Sequence, residues 1–256
     1  MEAIISAGWK KSFWLTSHIG YRTLFGDCRM SQTYAFAPET LIKAYALGVF
    51  PMADAHDSDD IRFYDPEVRA LIPLDDTVGN GIHIPRRLLR TVRKQPFMVT
   101  IDHDFPAVIS GCAELADDRT DTWINKDIQV LYIALHKMGF AHSIEVWDSD
   151  KLVGGLYGVA LRAAFFGESM FSRATDASKI ALVHLIARLK TGGFQLLDAQ
   201  FTNPHLIQFG ITEISRDAFQ HKLEKAMAAS ADLGLGVASD EITIPFLDTL
   251  SKPVDI

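Results

Sequence analysis

Cysteine is nearly absent: a chain of 256 residues carries two, Cys28 and Cys112. They stand in no metal-binding or redox spacing, and a chain of this length needs no disulfide to hold a core, so a reducing, cytoplasmic setting is expected. Long apolar runs are missing too. None approaches the roughly 18 residues that cross a bilayer, which excludes a membrane-spanning helix. His136, His142 and His205 lack ligand spacing, and no Cys or Asp completes a zinc pattern with them, so no metal is expected. There is no G-x-S-x-G elbow, no Walker loop and no Rossmann glycine pattern after a strand. Serine-hydrolase, nucleotide-hydrolase and dehydrogenase chemistry therefore lose their usual support, and no covalent enzyme intermediate is indicated. The formal net charge of -7 argues against coating nucleic acid through bulk electrostatics, but not against a local basic patch.

What is present is core-forming material: 48% of residues are apolar, enough for one large domain or two unequal ones. Residues 1–29 have no clean period and make a poor secretory signal, and Met30 follows them. Residues 1–29 are read as an upstream extension, with the functional chain starting at Met30, and 1–33 as a non-native or disordered segment ahead of the first domain. A small N-terminal domain is expected over 34–80, a catalytic domain over 81–228 and a tail over 229–256, aperiodic apart from Ile242–Phe246.

Thr40–Leu47 reads as a helix ended by Gly48, followed by a solvated acidic loop with Asp54, Asp57, Asp59 and Asp60. Pro85–Lys94 reads as a helix carrying Arg86, Arg87, Arg90, Arg93 and Lys94 with no acid. A strand at Phe97–Ile101 feeds a helix with Phe105, Val108, Ile109 and Cys112 on one face. A second helix carries Ile128, Leu131, Tyr132 and Leu135. Three strand-like runs, Ala141–Trp147, Leu152–Leu161 and Ala164–Ser172, then suggest an antiparallel meander. Thr175 and Asp176 are candidate caps for a helix with Leu182, Leu185, Ile186 and Leu189. A strand at Phe194–Asp198 and a last helix near Asp217–Met227 complete the order. This is an α/β (α+β layered) pattern, in the element order of a GCN5-related N-acetyltransferase-like C-terminal domain.

Two sites are unusual. Glu168 sits inside the apolar strand Phe165–Ser172 beside Gly167, and alternation places Phe166, Glu168 and Met170 on one face. If that face is the core, Glu168 is a buried acid in need of a partner; an edge-strand charge is the other reading. Asp198 and Gln200 end the next strand two residues apart, where Asp198 can orient the Gln200 amide to accept a hydrogen bond from an amine; a polar strand cap is the bland alternative. The five cations of 86–94 suit a phosphate backbone or a solvated helix face, and Trp123 and Tyr132 suit a stacked base or the core. An acetyltransferase needs a glycine-containing pyrophosphate loop of the form R/Q-x-x-G-x-G/A, but Arg173-Ala174-Thr175-Asp176-Ala177-Ser178 puts Asp176 at its first glycine. Coenzyme A binding is not expected there.

Residues 141–147 (AHSIEVW), 152–158 (LVGGLYG), 167–172 (GESMFS) and 176–179 (DASK), in order, closely resemble the leucyl/phenylalanyl-tRNA-protein transferase family, with Thr122-Trp123-Ile124 and residues 44–51 in agreement. The resemblance covers most of 34–226. It implies transfer of leucine or phenylalanine, and methionine less well, from aminoacyl-tRNA to proteins beginning with arginine or lysine. The product is an N-degron; no cofactor, no membrane and a monomeric enzyme are implied. Carried over by position, Glu168, Asp198 and Gln200 match the active centre, and Trp123, Tyr132 and Tyr64 match the aromatics near the tRNA 3′-adenosine. Phe165, Met170, Leu185, Leu197 and Leu156 match the aminoacyl pocket, while Arg86, Arg87, Arg90, Arg93 and Lys94 would meet the tRNA backbone. Phe165 and Met170 differ in alternation parity, which requires a bulge near Gly167. Tyr34-Ala35-Phe36-Ala37-Pro38 replaces the family's glycine-rich G-L-L-A-x-G-G-D-L approach to the first helix. A coenzyme A-dependent acetyltransferase and a non-catalytic tRNA- or degron-binding protein are the rivals.

Overall fold

The computed structural model describes residues 37–58, 60–74, 81–115 and 121–250. The proposed extension and start at Met30, and most of the segment replacing the glycine-rich approach, lie outside these residues.

A seven-stranded mixed sheet organises the described residues. Its strands are β3 (Val68–Leu71), β4 (Met98–Ile101), β5 (Ala141–Asp148), β6 (Lys151–Leu161), β7 (Ala164–Ser172), β8 (Leu196–Gln200) and β9 (Thr212–Ser215), in the order β4-β5-β6-β7-β8-β3-β9. β5, β6 and β7 form the expected antiparallel meander, whereas β7 and β8 run parallel. The crossover between those two is helix α5 (Ala177–Thr191). A separate hairpin, β1 (Phe50–Ala53) with β2 (Ile61–Tyr64), encloses the acidic loop.

Each face of the sheet is covered. On one side Leu41 and Tyr45 of α1 (Pro38–Ala46) pack with apolar residues of α3 (Phe105–Ala113), α4 (Lys126–Lys137) and α7 (Arg216–Ala228). On the other, α5 is buried for most of its length beside α2 (Arg86–Arg93) and α8 (Ser239–Thr249). Side chains select these helices: Asn125 caps α4 by accepting from the Ile128 amide at 2.8 Å, and Asp104 caps α3 through the Ala107 amide at 3.0 Å. Cover on both faces of the sheet is what the apolar runs in β5, β6 and β7 require.

The structure departs from the sequence reading in three places. β3, from within the segment assigned to a small domain, inserts into the main sheet between β8 and β9. Runs of four residues, such as β1, β2, β3 and β9, are too short for periodicity to separate from loops, and neighbours stabilise them. The aperiodic tail carries α8, whose Phe246 and Leu247 join the α5 core. Arg188 of α5 fastens the approach to that helix, donating to the carbonyls of Leu233, Gly234 and Val237 and to the Ser239 hydroxyl at 2.7–3.1 Å. Asp176 does not cap α5 through its side chain; at φ 63° it occupies the left-handed region, and its carboxylate pairs instead with Arg87 and Lys179.

The meander has two irregular steps, one between Val146 and Trp147 of β5 and one that bears on the site. Tyr157 pairs with Ser169 but Gly158 pairs with Gly167, so Glu168 is the extra residue of a β-bulge. Opposite it, a Cβ on Gly158 would lie 2.3 Å from the Phe166 carbonyl oxygen and 2.4 Å from the Phe165 ring. Gly158→Ala is expected to destabilise the fold by about 1–3 kcal/mol or more through overpacking, read as a lower urea midpoint with an unchanged m-value.

Candidate active site

The bulge reverses the alternation of β7. Phe166 faces the α3 and α4 side while Met170 faces the α5 side, so the expectation that Phe166, Glu168 and Met170 share a face is corrected. The same step brings Phe165 and Met170 together. Both belong to one buried apolar set with Leu156 of β6, Leu185 of α5 and Leu197 of β8.

Glu168 is 5% exposed and fully satisfied. Its Oε1 accepts from the Tyr45 hydroxyl at 2.8 Å and from Gln200 Nε2 at 2.9 Å; its Oε2 accepts from the Tyr132 hydroxyl at 2.9 Å. The two tyrosine hydroxyls also touch each other. Burial pushes the Glu168 carboxyl up to about 7, opposed by the two tyrosine hydrogen bonds, with the nearby Asp198 charge pushing further up and Arg69 pulling down. Burial, then the Glu168 charge, holds both tyrosines well above the ordinary phenol value, so they remain donors.

Asp198 is completely buried and meets a partner that the sequence reading missed. Arg69 of β3 donates through Nε to both carboxylate oxygens, at 3.0 and 3.1 Å, and through Nη2 to Oδ2 at 2.7 Å. Its Nη1 donates to the Gly48 carbonyl at 2.8 Å. The guanidinium lies 4.7 Å from the Phe50 ring centre and 4.2 Å from that of Phe219, a cationic contact with two aromatic rings. A signal for it exists in the sequence: Arg69 is a charge within Val68-Arg69-Ala70-Leu71-Ile72, the same anomaly that singles out Glu168. Tyr45 carries no such signal, since its spacing marks it only as a buried position of the first helix.

Asp198 does not orient the Gln200 side-chain amide, as expected from sequence. It accepts from the Gln200 backbone N–H at 2.8 Å, while Glu168 holds the side chain. A second bulge is responsible: Ala70 pairs with Gln200 and Leu71 with Asp198, which leaves Ala199 unpaired and breaks the simple two-residue alternation. Gln200 itself has φ 62°. With Nε2 donated to Glu168, its side-chain oxygen has no partner among the described residues and is an acceptor at the end of β8.

The other candidates are dispersed. Tyr132 has no exposed surface and its hydroxyl is committed to Glu168; here it presents no face for stacking on an adenine. Trp123 is 7% exposed, and its carbonyl accepts from the Ala53 amide of β1 at 3.3 Å. Tyr64, half-buried on β2, stacks with Phe50. Arg86, Arg87, Arg90, Arg93 and Lys94 line exposed positions on and just after α2. Arg87 is paired with Asp176 at 2.7 Å, and Arg93 donates to the Leu247 carbonyl at 2.8 Å. Lys179 and Arg87 hold Asp176 below the usual carboxylate range against the opposing effect of burial, keeping a negative charge at the start of α5.

A family model described as leucyl/phenylalanyl-tRNA protein transferase matches residues 78–224, and one described as the N-terminal domain of that transferase matches residues 35–67. The chain is 57% identical over 197 residues to a leucyl/phenylalanyl-tRNA–protein transferase of Hyphomonas neptunium, covering 77% of this chain and 74% of that protein. It is 51% identical over 218 residues to one from Caulobacter vibrioides, covering 85% and 98% of the two chains.

The raised Glu168 carboxyl has a signed consequence for stability. Ionising it is harder in the folded than in the unfolded state, so its contribution falls as pH rises from its ordinary value of 4.5 through about 7. Glu168→Gln is expected to flatten the decline in stability across that window, measured as urea midpoints at pH 5 and pH 8; an unchanged slope between them would count against burial as the cause.

Proposed function

This chain belongs to the leucyl/phenylalanyl-tRNA protein transferase family and is an aminoacyltransferase; from that premise we propose that it transfers leucine or phenylalanine, and methionine less well, from tRNA to proteins beginning with arginine or lysine. The product carries an N-degron. The observation that supports the reading best is the Gln200 side chain: its Nε2 is fixed by buried Glu168, and its oxygen remains available as an acceptor, while the apolar set on the α5 face of the same strands suits an unbranched or γ-branched side chain.

The donor ester is already activated, so alignment of the two substrates supplies much of the rate. The acceptor amine attacks the ester carbonyl, the C–N bond forms, and the C–O bond to the tRNA ribose breaks. The amine loses a proton, and the ribose oxygen gains one. Gln200 Oε1 accepts a hydrogen bond from the attacking amine and so directs its lone pair, while Glu168, buried and held by Tyr45 and Tyr132, fixes the Gln200 amide rather than meeting the acceptor itself. An amide is too weak a base to take the proton outright, which leaves that step to substrate or tRNA groups. Leu156, Phe165, Met170, Leu185 and Leu197 form the pocket for the transferred side chain. Because a methylene is worth about 1–3 kcal/mol in such pockets, β-branched residues are rejected and methionine leaks through.

Arg86, Arg87, Arg90, Arg93 and Lys94 hold the tRNA backbone, and Trp123 and Tyr64 meet its terminal adenosine; Tyr132, fully buried, serves Glu168 instead. The catalytic layout is GCN5-related N-acetyltransferase-like; the meander, the α5 crossover and the parallel β7–β8 pair support it. Against coenzyme A stands the ion-paired Asp176 at the start of α5, where a pyrophosphate would sit. We take the enzyme to act in the cytoplasm as a monomer; among the described residues no helix is long and apolar enough to cross a membrane.

Label transfer from charged Leu-, Phe- and Ile-tRNA to a protein with N-terminal arginine tests the reading. Transfer is expected from the first two and not from isoleucine, and Gln200→Ala is expected to lower the rate on the order of 100-fold with acceptor binding unchanged. Full transfer by Gln200→Ala would remove its assigned role. Replacing Arg86 and Arg90 together with glutamine should weaken tRNA binding and reduce the salt slope by about 1 for each phosphate no longer neutralised, measured by titration at several salt concentrations; an unchanged slope would mean that α2 is only a solvated face.

A further inference from the structure

We propose that Arg69 is a positioning residue for the transfer reaction, holding Gln200 in its reactive orientation through Asp198 without touching either substrate. The inference rests on the reading of Gln200 as the group that meets the attacking amine. Arg69 is 1% exposed, which removes it from direct contact with tRNA or acceptor. Its planar fork engages Asp198 at three distances between 2.7 and 3.1 Å, and the Gly48 carbonyl fixes the remaining terminal nitrogen. Phe50 and Phe219 restrain the guanidinium in turn. The carboxylate so held accepts the backbone N–H of Gln200 at 2.8 Å.

Gln200 needs such a constraint. It is not glycine, yet its backbone stands at φ 62°, a left-handed conformation that persists in such a residue only when its surroundings over-determine it. The bulge at Ala199 removes regular sheet pairing as a source of rigidity just before it. Asp198 supplies the missing anchor from one side and Glu168 from the other, through the side-chain amide. If Asp198 can rotate, its hydrogen bond from the Gln200 N–H breaks, the backbone relaxes towards extended geometry, and the amide leaves Glu168. Lysine in place of Arg69 keeps the charge but cannot make the two-nitrogen contact to Asp198 while also reaching Gly48.

The test compares Arg69→Lys, Arg69→Ala and Gln200→Ala, each assayed with Leu-tRNA and a protein bearing N-terminal arginine, with and without millimolar ethylguanidinium or ethylammonium. For Arg69→Lys the expected result is a kcat lower on the order of 100-fold with KM for both substrates unchanged. In Arg69→Ala, ethylguanidinium restores the rate and ethylammonium does not, because only the planar fork reproduces the contact with Asp198. A merely structural role would lower the folded fraction without this split between kcat and KM or between the two cations. Arg69→Lys that folds and turns over at the wild-type kcat overturns the proposal, as does equal rescue by both cations. Should Arg69→Ala be insoluble, Arg69→Lys decides. If Gln200→Ala is inactive while the Arg69 variants are unimpaired, this inference alone falls; if Gln200→Ala is fully active, the reading of Gln200 falls and this inference with it.

Discussion

Two carboxylates buried in neighbouring strands set the terms for the rest of the structure. Burying an unpaired charge is expensive, and two like charges nearby make it more so. Asp198 meets this cost with a fully buried guanidinium, and Glu168 meets it with three neutral donors. The difference bears on Glu168: desolvated without a direct cationic partner, its carboxyl is pushed up to about 7. The donors come from distant parts of the chain, α1, α4, β3 and β8, so the site exists only when all of them have assembled.

The two bulges turn that assembly into a directed site. A regular β7 would place Phe165 and Met170 on opposite faces and leave one of them outside the apolar set; Glu168, as the extra residue, places both on the α5 side and itself on the side of the tyrosines. Ala199 does the corresponding work in β8, separating the directions of Asp198 and Gln200. A sheet with strict alternation can offer a polar face and an apolar face. It cannot place a carboxylate against an amide on one side and gather these apolar side chains on the other within a few residues.

Charge also governs the start of α5. The N-terminus of a helix presents free N–H groups and would welcome a phosphate. Here Asp176 occupies that position in a left-handed conformation, and its carboxylate is paired with Arg87 and Lys179. An architecture alone does not set the chemistry, which has to be argued from the side chains.

By itself the sequence determined the long elements and the chemical anomalies. Helical spacing in α3, α4 and α5, apolar runs in β5 to β7, the carboxylates Glu168 and Asp198 and the amide of Gln200 were all legible, because each depends on neighbours within a turn or a strand. The parity conflict between Phe165 and Met170 even demanded a bulge. Only tertiary structure decided what those residues meet. Arg69, 129 positions from Asp198, and Tyr45, 123 from Glu168, enter the site through pairings across the fold that no local pattern encodes. The short strand β3 and the helix α8 escaped for a related reason: their stability comes from pairing with β8 and β9 and from packing on α5, not from their own periodicity. Which side of Gln200 faces outward was settled by a single extra residue, since with a repeat of two, one insertion reverses every direction that follows.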